Sequence, residues 1–400
     1  MKSRNPILFV AVTSLCLLST PACLMAQQQE KLPPIHYHIT DLGTLGGPAS
    51  QALAISNDGL IAGSASLAGG TQHAVLWYKN LKVDLGALGG SKSAGLNSTA
   101  FFSNDLAQVV GASEVSAQDK DEENFCGFGS GLKCLPFFWE GGVMKALPLL
   151  GGKNGQAIAI NDRGQAVGVA EDGTIDKNCV APHANDFEAV LWGPGRGEVQ
   201  KLRPLPGDTV GMGLWINEKG QVVGTTGSCG NSVLPPLAVG PHAVLWENGS
   251  VTDLGNLGEA CITPCMSPTL GPLGNFALFI NNKDQVFGAS VLSGGETQHA
   301  FVWTREKGMK DLGTLKGDYA SVALGANDKG EVVGFSFDKS GVPRAFLRRN
   351  DVMIDLNTLL PAHSPIYALG AGLINASDEI AGVGVTGSGE VHAFLATPCR

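Results

Sequence analysis

PHAVLWENGSVTDLGNLG, residues 241–258, decides the fold. An apolar run, His242 to Trp246, meets the three-residue turn signal Glu247-Asn248-Gly249, and a second run leads into Asp253-Leu254-Gly255. Asn-Gly takes the positive φ values that a tight reversal needs, so the stretch predicts a β-hairpin. Cousins of it recur down the chain, with the Asp-Leu-Gly position falling at 41, 84, 146, 201, 253, 311 and 355.

Cutting at that position gives units 41–83, 84–145, 146–200, 201–252, 253–310, 311–354 and 355–398. Each carries four strand-like runs, most plainly in the first unit: SQALAIS, LIAGSAS, HAVLWY and LKVDLG. Turn residues such as Asn57-Asp58-Gly59, Asn161-Asp162-Arg163-Gly164, Asn217-Glu218-Lys219-Gly220 and Asn327-Asp328-Lys329-Gly330 join the first run to the second. Self-similarity at this period, with four strands per unit, predicts an all-β fold: a seven-bladed β-propeller with four antiparallel strands per blade. The last unit ends at HAFLATP without a fourth strand, while HYHITDLG at 36–43 is a fourth strand with no blade before it. Pairing 35–41 with 391–397 would close the ring and remove its open edges. A right-handed solenoid is the alternative, but it has no need of matched half-units.

HAF at 299–301 and 392–394, HAV at 73–75 and 242–244, and DLGxLGG at 41–47 and 84–90 together resemble the HAF family of probable extracellular bacterial repeats. The resemblance covers essentially all of the chain after residue 26 and implies export and repetition. It implies no reaction. Leu135, Glu188 and Arg344 occupy the His position in units two, three and six.

Residues 1–26 read as a signal peptide: Lys2 and Arg4, then the apolar run 7–18, then Pro21 and the small Ala26. The expectation is a single domain over 27–400, exported to the extracellular space or periplasm, with lipid anchoring at Cys23 as the alternative. No later window is long and apolar enough to span a membrane. The formal net charge is −9, and loss of Lys2 and Arg4 with the leader would take it to about −11. That sign repels phosphate backbones, so nucleic acid is excluded as a partner. The 55 glycines and 16% charged residues fit a turn-dense β protein, expected to be a monomer.

The His position and the following Asp position start and end neighbouring strands, which predicts cross-strand pairs. They are His73 with Asp84, His242 with Asp253, His299 with Asp311, and His392 with Asp41 across the ring closure. The exceptions change together: Leu135 meets Ala146, Glu188 meets Lys201, and Arg344 meets Asp355. Catalytic or metal-binding roles would need several copies to converge on one substrate or ion, and copies in separate blades do not. They read as structural clasps. The Trp residues ending the third strands (Trp77, Trp139, Trp192, Trp246, Trp303) read as packing between blades.

Long insertions at 112–134, 169–187, 225–240 and 258–274 all fall on the face bearing the second-to-third loops and blade connectors. They hold six cysteines. Proximity suggests Cys126 with Cys134, Cys179 with Cys229, and Cys261 with Cys265, leaving Cys399 free. A zinc site is the competing reading, and it lacks the usual ligand spacing. Asp119 to Glu123, DKDEE, reads as a solvated loop. The first strands supply neither a charged residue nor a His, so no ring of acids or bases lines a channel. The sequence therefore predicts a non-catalytic binding module without cofactor or metal, engaging a protein or glycan through the insertion-bearing face. The alternative is a secreted hydrolase or lyase with catalytic residues in the insertions.

Overall fold

The computed structural model describes residues 35–399, apart from 80, 91–94, 180, 182, 195–196, 233–239 and 262–264. The expected leader, and Cys23 with it, lies outside the described residues. The described chain is all-β, laid out as consecutive four-stranded antiparallel sheets, the strand order of a β-propeller. The first sheet takes Gly46–Ile55, Ile61–Leu67, Gln72–Tyr78 and Leu81–Gly86 in order. The following five sheets open with Ser98–Ser103, Gly155–Ile160, Val210–Ile216, Phe276–Ile280 and Ala320–Ala326. After them come Ile366–Ile374, Ile380–Thr386 and Val391–Pro398, and against the last of these lies Tyr37–Asp41, with Tyr37 opposite Pro398 and Asp41 opposite Phe394.

The hairpin of residues 242–253 forms, but its loop is shorter than expected. Glu247 pairs with Ser250, so only Asn248 (φ 51°) and Gly249 (φ 77°) turn the chain. Two consecutive positive φ values match the right-handed twist of the flanking strands. The 258–274 connector also holds a small hairpin, Cys265–Ser267 against Gly271–Leu273.

Every first strand slips register against its second strand, as between Gly213 and Trp215 or Ala52 and Ala54, and the strands Gly46–Ile55 and Ile366–Ile374 do so twice. Beside the slip stands a glycine of the second strand. A Cβ on Gly63, Gly168 or Gly224 would lie 1.9 to 2.0 Å from a first-strand carbonyl oxygen. Only glycine fits there, because the bulged strand presses its backbone on to the neighbour.

The repeated tripeptide is a packing unit. Ala74, Ala243, Ala300 and Ala393 are fully buried, as are Phe301 and Phe394. Burial of each Phe contributes about 2–3 kcal/mol. The N–H of Ala74 donates to Ser98 Oγ of the next sheet (2.8 Å), and Ser98 Oγ donates on to Gly86 O (2.5 Å). Ala300, Ser321 and Gly313 repeat the arrangement, and Ala393 donates to Ser50 (2.9 Å). The indole nitrogens of Trp77, Trp192 and Trp246 donate to Leu42, Pro148 and Arg203 carbonyls in the connector entering each one's own sheet.

Candidate functional site

The Asp of each DLG connector folds back on itself. Asp84 Oδ1 accepts the N–H of Gly86, whose φ of +68° only glycine adopts freely, and Asp41, Asp253 and Asp311 do the same for Gly43, Gly255 and Gly313. The facing His then binds that fixed carboxylate through Nδ1: His73 to Asp84 at 2.8 Å, His299 to Asp311 at 2.9 Å, and His392 to Asp41 at 2.9 Å. Each pair sits in its own sheet, and its carboxylate is already engaged in a turn. Such pairs order a connector. A double-mutant cycle on His73→Ala and Asp84→Ala is expected to give a coupling of only about 0.5–1 kcal/mol in urea melts, since Asp84 is solvent-screened. A coupling near zero would remove the clasp role.

The fourth predicted pair is corrected. His242 Nδ1 bonds Asp208 Oδ2 at 2.9 Å, not Asp253. Asp208 precedes the first strand of the same sheet; its side chain is 11% exposed, and it also accepts Thr226 Oγ1 at 2.5 Å. A carboxylate withdrawn from water competes better for the imidazole than the exposed Asp253. The hydrogen bond that Asp208 accepts raises the His242 pKa above its ordinary value. The exchanged pairs form as ion pairs. Lys201 binds Glu188, and Arg344 binds Asp355 at 3.0 Å, with Asp318 at 2.6 Å as a second partner. Leu135 stands opposite Ser113, and Ala146 opposite Phe137.

On the insertion-bearing face three disulfides join Cys126 to Cys134, Cys179 to Cys229, and Cys261 to Cys265, and Cys399 is free. The second of these ties the long loop of one sheet to that of the next. DKDEE departs from its expectation as a solvated loop: Asp119 is 3% exposed and Glu123 0%. Glu123 Oε1 accepts the N–H groups of Ala184 (2.6 Å) and Asn185 (2.8 Å) from the neighbouring insertion, and Asn154 Nδ2 bonds Asp119 and Glu171 at 3.0 Å each. Lys153 covers Asp121. The acids close a seam between two insertions, because backbone amides left without water there need acceptors. Carboxylate oxygens of Asp119, Asp121 and Glu123 lie within 4.8 Å of one another, yet amide and ammonium donors already occupy them. Burial and the Glu123 carboxylate push the Glu171 carboxyl up to about 8. Burial pushes Glu188 up to about 7 against the pull of Lys201.

Two concave sites follow. The first is a groove of about 310 Å³ on the insertion-bearing face, lined by Ser267, Thr269, Glu296, Thr297, Tyr319 and Lys339. The disulfide-stapled connector hairpin forms one wall, and the second-to-third loops of the following two sheets form the other. Ser267 Oγ and Tyr319 OH are 3.1 Å apart. Hydroxyls beside one phenol ring and one charge of each sign can hydrogen-bond a polyol. Sequence reasoning found the connector but not the groove, since Tyr319 and Lys339 lie outside every insertion.

The second is a cavity of about 170 Å³ at the opposite ends of the strands, reached by the first strand of every sheet. Its rim is made by the first-to-second turns. Asn104, Asn161, Asn217, Asn281 and Asn327 each donate a side-chain N–H to the carbonyl of the corresponding Asn one sheet on, and Asn375 donates to Ser56 O. The turn residues looked like reversal chemistry alone in the sequence. Side by side they also make a collar.

No family model matches the chain, and no curated protein matches it. Among solved structures, similar ones are a mutant of AofleA from Arthrobotrys oligospora (14% identity, 80% of this chain, 90% of that chain, TM-score 0.38) and TolB from Acinetobacter baumannii (10%, 86%, 64%, TM-score 0.40). A mutant of Aleuria aurantia lectin in complex with Fucα1-6GlcNAc matches at 10% identity over 80% of this chain and 100% of that one, with a TM-score of 0.36. Likenesses this distant carry no functional argument. The architecture rests on the strand pairing itself.

Proposed function

We propose that the chain is an exported HAF-repeat protein folded as a seven-bladed β-propeller, its ring sealed by Tyr37–Asp41, and that it acts as a non-catalytic binding module. Its ligand is a glycan or a glycan-bearing protein held on the insertion-bearing face. The observation that carries this reading is the groove between the connector hairpin and Tyr319: hydroxyls, one aromatic ring and the oppositely charged Glu296 and Lys339, with one wall stapled by Cys261–Cys265 before any ligand arrives. Pre-anchored loops lose little entropy on binding. The clasps offer no convergent acid and base, which favours capture over turnover.

A glycan array followed by titration tests it. Lys339→Ala with Glu296→Ala is expected to weaken the captured glycan at least about tenfold with the melting curve unchanged. Unchanged affinity, or turnover of a polysaccharide or lactone by the purified protein, would overturn the reading.

A further inference from the structure

The cavity at the other end of the strands has a second chemistry. Its rim carries four carboxylates, Asp105, Asp162, Glu218 and Asp328, and the carboxamides Asn57 and Asn282. One oxygen of each acid is fixed by the preceding turn: Asn57 N to Asp105 (2.8 Å), Asp105 N to Asp162 (2.9 Å), Asp162 N to Glu218 (3.0 Å) and Asn282 N to Asp328 (3.0 Å). The acids are thus held at the mouth by backbone bonds, not merely gathered by chance on a mobile surface. Fixing like charges together is unfavourable by itself and leaves a negative potential at the opening. Burial first, and neighbouring carboxylates after it, raise the carboxyls of Asp162 and Glu218.

Among the described residues no Lys or Arg lines this cavity. Lys219 and Lys329, which follow rim acids in their turns, pair instead with Asp284 (2.7 Å) and Asp378. Arg163 is the basic group that acts on Glu218, from outside the cavity. Asp58 adds a further negative charge facing Asp162.

Below the rim the walls turn apolar. Trp215 reaches across to Phe102, ring centroids 4.7 Å apart and edge-on, and lies 4.5 Å from Phe279. These three rings come from the first strands of three different sheets and floor the cup. Ile160 and Leu373 flank them. A metal ion gains nothing from such a floor, since hard cations take oxygen ligands alone. A neutral sugar can donate hydroxyls to the rim but carries no charge for the excess of negative potential to attract.

We infer that this cup binds a small amphiphilic organic cation, its ammonium group at the carboxylate rim and its apolar body against Trp215, Phe102 and Phe279. The rim supplies long-range attraction and charge-assisted hydrogen bonds, and the aromatic floor adds apolar burial and cation–π attraction. The volume suits an arylalkylamine. This site stands at the opposite end of the strands from the groove and does not depend on it.

Calorimetric titration of the purified full-length protein with phenethylammonium, against its neutral analogue 2-phenylethanol, tests the assignment. The cation is expected to bind at least about tenfold tighter at low salt, with the difference shrinking as salt screens the rim. Glu218→Gln and Asp328→Asn, which keep the accepting oxygens and hence the turns, are each expected to weaken the cation several-fold and leave 2-phenylethanol unaffected. Trp215→Leu should weaken both. Equal affinity for amine and alcohol, indifference of the amine to both rim variants, or binding of Ca²⁺ alone without the amine would overturn the proposal. Glycan capture in the groove should survive the rim variants, so the two readings fail separately.

Discussion

Gly224→Ala is expected to leave the protein unfolded, or at least about 3 kcal/mol less stable in urea. An added Cβ would stand 1.9 Å from Met212 O and 3.1 Å from Trp246 Cζ3. The first contact is with backbone, which cannot rotate away as a side-chain tip would. Met212 lies beside the register slip at Gly213 and is fully buried, so moving it means moving the bulge and the residues packed behind it. Gly249→Ala provides the comparison: no atom lies within 4 Å of its added Cβ, and only the φ of +77° opposes it. That change should cost about 1 kcal/mol. If the two variants melt alike, close approach at the bulge is not what fixes the second-strand glycine.

The second large effect depends on pH. Glu171 is 1% exposed, and its carboxyl, pushed up from 4.5 to about 8, shares a hydrogen bond with Glu123. A carboxyl raised on folding contributes stability that is full below its unfolded value and is lost as pH climbs through the folded one. The seam between the two insertions should therefore weaken from about pH 4.5 to about pH 8, by a few kcal/mol as an order of magnitude. Glu188, raised to about 7, acts in the same direction over a narrower window. Urea midpoints of the wild type at pH 5, 7 and 9 should fall, whereas those of Glu171→Gln should fall less. A wild-type profile flat over that range, with Glu171→Gln indistinguishable from it, would show that the pair holds no proton.

Much of the architecture was legible because turns and strands leave local marks. Asn248-Gly249, the repeated DLG and the recurring four runs each say where the chain reverses, and the cysteines were close enough in adjacent loops to pair by proximity. What escaped were contacts between segments far apart in sequence. Asp253 is the nearest acid in register with His242, yet Asp208 is the drier one, and dryness is not a property of spacing. DKDEE looks solvated by composition, but the neighbouring insertion lays unpaired amides against it. The second-strand glycines were visible at every repeat. Their purpose depends on a bulge that only cross-strand distances disclose. Asp162, Glu218 and Asp328 were read as turn formers, which they are, while Asp105 was not singled out. That they meet at one mouth follows from placing the first strands of successive sheets side by side.

The pairing of Tyr37–Asp41 with Phe394–Pro398 also imposes an order in time. At roughly 5–20 residues per second, a ribosome finishes the partner strand roughly 20–70 s after releasing the first. Through that interval Ile39, only 2% exposed in the finished molecule, is wet, and its strand is free to pair with another nascent chain. Biosynthesis thus leaves strand 37–41 a sticky ribbon until residues 394–398 emerge to cover it.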